Sequence, residues 1–423
     1  MKWVGMYLVM VALAGAAHAQ AVGVSSTLAV TPSVPQLTLH DVLARVARSA
    51  PQLRAAELAA DADAARSRSR FGSMLPHVNY EGDWSVRDAT TGATHNTSHP
   101  RGDSLVLVQP LTLGEELAGW KSARNTARAS AFDAASTRQN LLVQTAAAYG
   151  DWLAAEDEAA NTRTLLEAVE HELKGANLRL KLGEGTKTDV AQSEARVAAA
   201  KSTLATAMAK VAGARASLAR YAGPLDGNPV WPATTEIPPA AANHPLVAAA
   251  EARKAASRFD VRGAWADFLP EATLRASSNQ SRDTTFLGGN TVEDQTVLVT
   301  VSLPLFAGGQ NVANLQAAKA EARRAHYTLE DTRRELARLH ATAVADVEAA
   351  RAAVAAAEQE VAALARAAEG VRREQQLGTR SLLEVLNAEQ ELAAGRTRLA
   401  TAKRNALVAE FNLLAAEGRL AGR

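Results

Sequence analysis

The sequence repeats its own landmarks at a nearly constant interval. Two landmarks of the first half recur 194 residues later: Leu75-Pro76 as Leu269-Pro270, and Pro110-Leu111 as Pro304-Leu305. A third pattern, Gly-x-x-Ser/Thr-x-x-Asp/Glu-Val, begins at Gly183 and again at Gly378, 195 residues later. Three landmarks in the same order are not expected by chance, so the chain contains two copies of one folding unit.

A seven-residue hydrophobic repeat follows the glycine pattern in both copies. Its apolar positions are Val190, Val197, Leu204, Val211 and Leu218, and then Val385, Leu392, Leu399, Ala406 and Leu413. Small residues such as Ser193 and Ala200 lie between them. We therefore expect left-handed coiled packing with closely approaching helices. Taken alone, this repeat is more typical of an ordinary antiparallel coiled coil without a transport role.

Two long segments contain no proline, residues 115–182 and 310–377. The chain is rich in Ala, Glu, Arg and Leu, with only 4% aromatic residues, a composition that favours helix. At a rise of 1.5 Å per residue, a helix of this length spans about 100 Å. That is larger than a globular domain, and it suits a tube that extends from a membrane.

Each copy also contains two segments with the period-two alternation of a β-strand. Val78, Tyr80 and Trp84 alternate with polar residues. In the second copy the valines of 297–301 alternate with polar residues, with an interruption at Leu298. We expect strands at about 77–88 and 103–113, and at about 271–283 and 294–306. The connections, 88–102 and 283–294, are expected to be polar and flexible. Strands of about ten residues suit a tilted crossing of a bilayer.

Four strands cannot close a barrel by themselves. An open sheet edge in lipid leaves backbone groups unpaired at several kcal/mol each, so membrane strands would require chains to share one barrel. Two chains would give eight strands, which side chains nearly fill, whereas three would give twelve and leave a lumen. A soluble four-stranded sheet beside a helical bundle remains the alternative at this point.

The N-terminus has the features of an export signal. Lys2 precedes an apolar run, and Ala17-His18-Ala19 resembles a cleavage site, so residues 1–19 are expected to be a signal peptide. The apolar run is shorter than the ~20 residues that a membrane anchor needs. We expect an extended leader at 20–36, the first repeat at 37–222, a proline-rich linker at 223–242 and the second repeat at 243–423.

Composition and motifs argue against several classes of function. The 46 basic and 45 acidic residues are nearly balanced, which gives no reason to expect a nucleic-acid partner. The absence of Cys excludes thiol catalysis, disulfides and a lipid-modified cysteine. We find no catalytic triad and no phosphate loop, so we expect neither an enzyme nor a cofactor. His95 and His99 lie in a polar loop, where solvent exposure is more typical than metal binding, and we expect no metal site.

Taken together, the motifs resemble the TolC-type outer-membrane efflux factor family. The resemblance covers about residues 37–420 and is carried by five segments: Leu37-Thr38-Leu39-His40-Asp41-Val42-Leu43, Phe268-Leu269-Pro270, Ser302-Leu303-Pro304-Leu305-Phe306-Ala307-Gly308-Gly309, Gly378-Thr379-Arg380 with Glu384-Val385-Leu386-Asn387-Ala388, and Phe411-Asn412-Leu413-Leu414-Ala415-Ala416-Glu417-Gly418. No single motif decides the matter, but their order and duplication are specific.

The resemblance implies a fold that is mainly α with a small β part. Three chains would form a homotrimer, whose twelve-stranded barrel in outer-membrane lipid continues as an α-helical periplasmic tunnel. The implied function is a passive exit duct for tripartite efflux or type I secretion. Its partners would be a periplasmic adaptor (membrane fusion) protein and an inner-membrane pump of the RND or ABC type.

The resemblance also implies a function for the two glycine turns, as the periplasmic tips of the tunnel. The family's aperture network maps onto Thr188, Asp189, Arg380 and Glu384, whereas Gln375 replaces its tyrosine and Asn387 its second acid. The latch is therefore expected to be altered, with weaker cation binding at the entrance. The implied adaptor contacts are Leu182, Gly183, Glu184, Leu377, Gly378 and Thr379. A good helix–turn–helix alone would also account for these turns.

The main competing interpretation is a periplasmic coiled-coil adaptor or structural protein that never enters a membrane. The alternating strands and the export signal argue against it.

Overall fold

A computed structural model describes residues 36–92, 94–232, 243–282 and 291–421. The expected signal peptide, 1–19, lies outside these ranges, as do the leader up to residue 35 and the linker from 233 to 242.

Long helices dominate the described chain. They are α1 (Leu39–Ser49), α2 (Pro51–Gly72), α3 (Gly114–Lys181), α4 (Lys187–Ala222), α5 (Pro245–Ala266), α6 (Gln310–Gln376) and α7 (Leu382–Ala416), followed by a 3₁₀ turn at Arg419–Ala421. The helices α3 and α6 have 68 and 67 residues, so each is about 100 Å long. Within the described ranges, no helix is both long and apolar enough to pass through a bilayer.

The helices pair within each repeat and then across the repeats. Helix α3 packs against α4, and α6 packs against α7, while α3 also contacts α7. The small heptad residues Ser193 and Ala207 are fully buried. At Gly395 an added Cβ would lie 2.7 Å from Cδ1 of Leu364, so a larger residue here would require the Leu364 side chain to shift. The predicted close coiled packing is confirmed.

A hydrophobic core lies midway along the bundle, where α1, α3, α4 and α7 meet. Tyr149 and Trp152 of α3 are its largest buried side chains. The Tyr149 hydroxyl lies 2.8 Å from the Leu37 carbonyl oxygen and 2.7 Å from that of Val230, and it accepts the Val230 N–H at 2.9 Å. These bonds fix the short parallel pair of β1 (Gln36–Leu37) and β6 (Asn228–Pro229) against α3.

Four strands form one antiparallel sheet at the end of the bundle opposite the glycine turns. The strands are β2 (His77–Trp84), β5 (Arg101–Pro110), β7 (Glu271–Arg282) and β8 (Thr291–Ser302), and their order is β2-β5-β7-β8. Each repeat thus supplies a hairpin, β5 and β7 join the repeats, and β2 and β8 are the edges. The predicted class, mainly α with four strands and long coiled helices in two repeated units, is confirmed.

The first repeat differs from the expectation in its connection. The first strand ends at Trp84 rather than 88, and the segment expected to be a flexible connection forms a hairpin of β3 (Arg87–Thr91) and β4 (Thr94–Ser98). Pro100 has no N–H to donate, so only its carbonyl bonds across, to the Ser85 N–H at 3.1 Å. The ladder is interrupted at this point and resumes as the second hairpin.

The strand register separates an apolar face from a polar face. Directly paired residues share a face. One row is apolar across all four strands, Val78–Leu107–Ala276–Val297, and the next row on that face is apolar in its first half, Tyr80–Leu105–Ser278–Gln295. The alternate rows are mainly polar: Glu81–Ser104–Asn279–Asp294, and Asn79–Val106–Ser277–Thr296. The apolar rows are exposed at the edges, Tyr80 to 66% and Val297 to 75%.

Candidate functional site at the two helical tips

Both glycine turns end a long helix with the same backbone geometry. The first tip (residues 174–190) contains Gly183 at φ +78°, and the second tip (residues 369–385) contains Gly378 at φ +80°. In the first tip the Gly183 N–H donates to the Leu180 carbonyl at 3.1 Å, and the Glu184 N–H donates to that of Arg179 at 2.9 Å. The equivalent bonds form at the second tip, so each turn is a Schellman motif.

A capping box starts the helix after each turn. In the first tip, the Asp189 N–H donates to the Thr186 hydroxyl at 3.1 Å, and the Asp189 carboxylate accepts the Thr186 N–H at 3.2 Å. Ser381 and Glu384 form the same box in the second tip. Both acids therefore satisfy backbone donors and favour the positive end of the helix dipole.

The predicted aperture residues divide between two local networks. Arg380 donates to Glu384 at 2.6 Å and to Glu374 at 2.9 Å. The pKa of the Glu384 carboxylate is lowered to about 2 by its hydrogen bonds, of which the one from the Ser381 N–H has the largest effect, followed by those from Arg380 and from the Ser381 hydroxyl. Asp189 is bound to Thr186 instead. The structure thus brings Arg380 and Glu384 together and places Asp189 in the other tip's cap. Among the described residues no hydrogen bond joins Asp189 to Arg380.

The two tips differ where the first has Gly185 and the second has Arg380. An added Cβ at Gly185 would lie 3.0 Å from the Leu180 backbone nitrogen, so the first turn folds too tightly for a side chain there. Arg380, at the equivalent position, extends outward to its two glutamates. The two turns therefore differ at this position: the first has no side chain there, and the second has an arginine that pairs with two glutamates.

A contact between the repeats lies just inside the tips, and sequence reasoning missed it. Arg196 of α4 donates to the Gln390 side-chain oxygen at 2.7 Å and to that of Asn387 at 3.2 Å, both on α7. Asn387 was among the predicted aperture residues, but Arg196 was not. Arg196 lies seven residues after Asp189, on the same helix face, and that spacing was the one available signal.

The remaining predicted residues lie on the surface or near it. Leu182 is 65% exposed and Leu377 is 80% exposed. The other predicted adaptor contacts are also exposed: Gly183, Glu184, Gly378 and Thr379. Thr188 is exposed, and Gln375 is half-buried.

The loop histidines form no metal-binding group with other side chains. His95 lies 3.2 Å from the Thr90 hydroxyl, across the β3–β4 hairpin. In the part of the chain that the structure describes, no three His, Cys, Asp or Glu side chains are grouped to hold a metal ion.

Comparison with known proteins matches both repeats to one family. The sequence model described as outer membrane efflux protein matches residues 42–224 and again 237–419. The chain belongs to the outer membrane efflux protein family. Its two matches have equal length, in agreement with the 195-residue interval between the glycine turns.

Individual relatives agree with this membership. Outer membrane efflux protein BepC of Brucella suis biovar 1 (strain 1330) is 32% identical over 296 residues, 67% of this chain and 64% of that protein, slightly less than two thirds of its length. Alkaline protease secretion protein AprF of Pseudomonas aeruginosa is 27% identical over 324 residues, 72% of this chain and 67% of that protein.

The fold is shared with solved outer membrane channels. The outer membrane channel CmeC of Campylobacter jejuni superimposes with a TM-score of 0.79, over 90% of this chain and 85% of that chain. Its sequence is 16% identical, so this likeness concerns the fold.

Proposed function

We propose that the protein is an outer-membrane channel-tunnel, a passive exit duct for tripartite efflux or type I secretion. The observation that carries the proposal is the two-faced sheet. The edge residues of its apolar row, Val78 and Val297, are 58% and 75% exposed, and Leu107 and Ala276 between them are half-buried. In water such a surface promotes aggregation, whereas in a barrel it faces lipid and the polar rows face a lumen.

The edges of the sheet support a homotrimer. Because the four strands alternate in direction, β2 and β8 run antiparallel to each other. A β8 edge can therefore pair with the β2 edge of another copy and continue one antiparallel ladder. Three copies supply twelve strands, enough to leave a lumen that eight would not. Closure removes the unpaired backbone groups, which cost several kcal/mol each in lipid.

The helices continue the duct. Helices α3 and α6 carry the two tips about 100 Å from the sheet, far beyond the thickness of a bilayer. We place the tips in the periplasm, where their exposed leucines would contact an adaptor protein coupled to an inner-membrane pump. Thr188, Asp189, Arg380, Glu384, Gln375 and Asn387 would surround the aperture.

The names of the relatives are consistent with this role, since BepC is an efflux protein and AprF a protease secretion protein. The family and the fold are those of transport channels. We propose that the duct performs no chemistry and that the pump supplies the energy.

The test combines cell fractionation with planar-bilayer recording. We expect the mature protein in the outer-membrane fraction and discrete conductance steps after reconstitution. A mature protein that stays soluble and conducts no ions would instead be a periplasmic coiled-coil protein, and the proposal would be wrong.

A further inference from the structure

We propose that the first tip is a basic docking surface for an acidic surface of the periplasmic adaptor. This inference rests on the proposed function, because it concerns the partner of the same tips. It goes further by stating the chemistry of that partner and by assigning its electrostatic recognition to one tip rather than both.

The two tips carry different charge. Residues 174–190 contain four basic and two acidic side chains, whereas the equivalent residues 369–385 contain three of each. The basic residues of the first tip are Lys174, Arg179, Lys181 and Lys187. Duplication has left one tip basic and the other balanced.

The second tip neutralises its own charge. Arg373 pairs with Glu369, Arg372 pairs with the nearly buried Glu389, and Arg380 pairs with two glutamates. By contrast, in the described residues no ion pair involves any of the four basic side chains of the first tip. One guanidinium nitrogen of Arg179 is even buried without a hydrogen-bond acceptor. The first tip therefore presents positive charge that the chain itself does not compensate.

Helix stability explains only part of this charge. Arg179 and Lys181 lie in the last turn of α3, where a cation favours the helix dipole. Lys187 is the first residue of α4, where the dipole disfavours a cation. Its counterpart in the second repeat is Leu382. The helix dipole therefore accounts for Arg179 and Lys181 but not for Lys187.

Apolar contact area adjoins the charge. Leu178 of α3 and Leu182, the residue that caps the C-terminus of α3, are one turn apart and 58% and 65% exposed, and Lys174 and Lys181 lie on the same face. The position equivalent to Leu178 is Arg373, so the second tip lacks this pair of leucines. Exposed leucines bordered by lysines fit a partner surface that presents apolar residues bordered by carboxylates.

The proposal predicts salt-dependent docking at one tip. The variant Lys181→Glu with Lys187→Glu reverses two charges of the first tip. The matched control, Lys201→Glu with Lys210→Glu, makes the same change of charge farther up α4, at lysines paired with Glu170 and Glu158. Light scattering should first establish that both variants assemble as the wild type does.

The probe is the purified adaptor that crosslinks in cells to a photoreactive residue at Leu377, in the second tip. We expect its affinity for wild-type protein to fall between about 0.1 and 1 M salt, where the screening length shrinks from ~10 to ~3 Å. The tip variant should bind about tenfold more weakly at low salt, with little salt dependence. The control variant should bind as the wild type does.

Equal adaptor affinity of the tip variant and the wild type would overturn the proposal. Vesicles of phosphatidylcholine with and without phosphatidylglycerol test the alternative occupant. If the tip variant loses binding to anionic vesicles but keeps its adaptor affinity, the basic surface contacts lipid, and the proposal is wrong. If wild-type protein binds no adaptor at any salt concentration and gives no conductance, the proposed function itself fails.

Discussion

The contact of Arg196 with α7 makes a quantitative prediction about opening of the duct. Two hydrogen bonds from this guanidinium, to Gln390 at 2.7 Å and Asn387 at 3.2 Å, hold the tips of the two repeats together. Each bond contributes about 0.5–1.5 kcal/mol net, and solvent exposure reduces the pair to about 1 kcal/mol. We call this contact between Arg196, Gln390 and Asn387 the clasp. Because neither Gln390 nor Asn387 is charged, the clasp is weak enough to break and form again.

A homotrimer would contain three such clasps, together about 3 kcal/mol. If all three must break on opening, Arg196→Ala raises the ratio of open to closed states by about a hundredfold. Single-channel recording of reconstituted protein measures this ratio directly. The control, Lys201→Ala, removes the same charge from the same helix but breaks a contact with Glu170, inside one repeat.

A double-mutant comparison separates the clasp from a general change of charge. Replacing both Asn387 and Gln390 with alanine should open the duct as much as Arg196→Ala does. Combining all three changes should add nothing further, since the same contact is already lost. An unchanged open probability in Arg196→Ala, or effects that simply add, would refute the reasoning.

Three further predictions concern the aperture, the turn glycines and the middle of the bundle. Asp189→Ala with Arg380→Ala should raise conductance, and unchanged conductance would remove these residues from gating. Gly378→Ala should lower the stability of the second tip by about 1 kcal/mol because φ is +80°, whereas Gly370→Ala, inside α6 with open space for a Cβ, should raise it by about 1 kcal/mol. Hydrogen exchange of the tip amides should therefore become faster in Gly378→Ala and slower in Gly370→Ala, and equal rates in the two variants would contradict this prediction. Burial lowers the pKa of His244, which caps α5 through Nδ1, so the stability that the neutral imidazole contributes should be lost as the pH falls below its unfolded pKa of about 6.5. The melting temperature should therefore fall more between pH 7.5 and 5.5 in the wild type than in His244→Asn, and equal falls in the two proteins would contradict this prediction.

Features that depend on neighbouring residues could be predicted from the sequence. The proline-free run 115–182 corresponds to α3 at Gly114–Lys181, and the second run to α6. The glycine turns and their caps also follow from local chemistry, because each of their hydrogen bonds joins residues at most six apart. The small heptad residues correctly indicated close helix packing.

Features that depend on distant residues could not be predicted in this way. Arg196 and Asn387 are 191 residues apart, and their contact depends on the relative register of α4 and α7. No local pattern encodes that register. The resemblance implied an aperture network that includes Asp189 and Arg380, and within one chain Arg380 pairs with the glutamates beside it. The β3–β4 hairpin was missed because its strands lack a regular apolar alternation.

The central claim is that three chains share one barrel through the β2 and β8 edges. Cryo-electron microscopy of the protein in lipid nanodiscs tests it most directly, because the strands in the membrane can be counted. The account predicts a three-fold symmetric barrel of twelve strands, with β8 of each chain paired to β2 of the next and the apolar rows facing lipid. A particle with a single four-stranded sheet outside the lipid would contradict it.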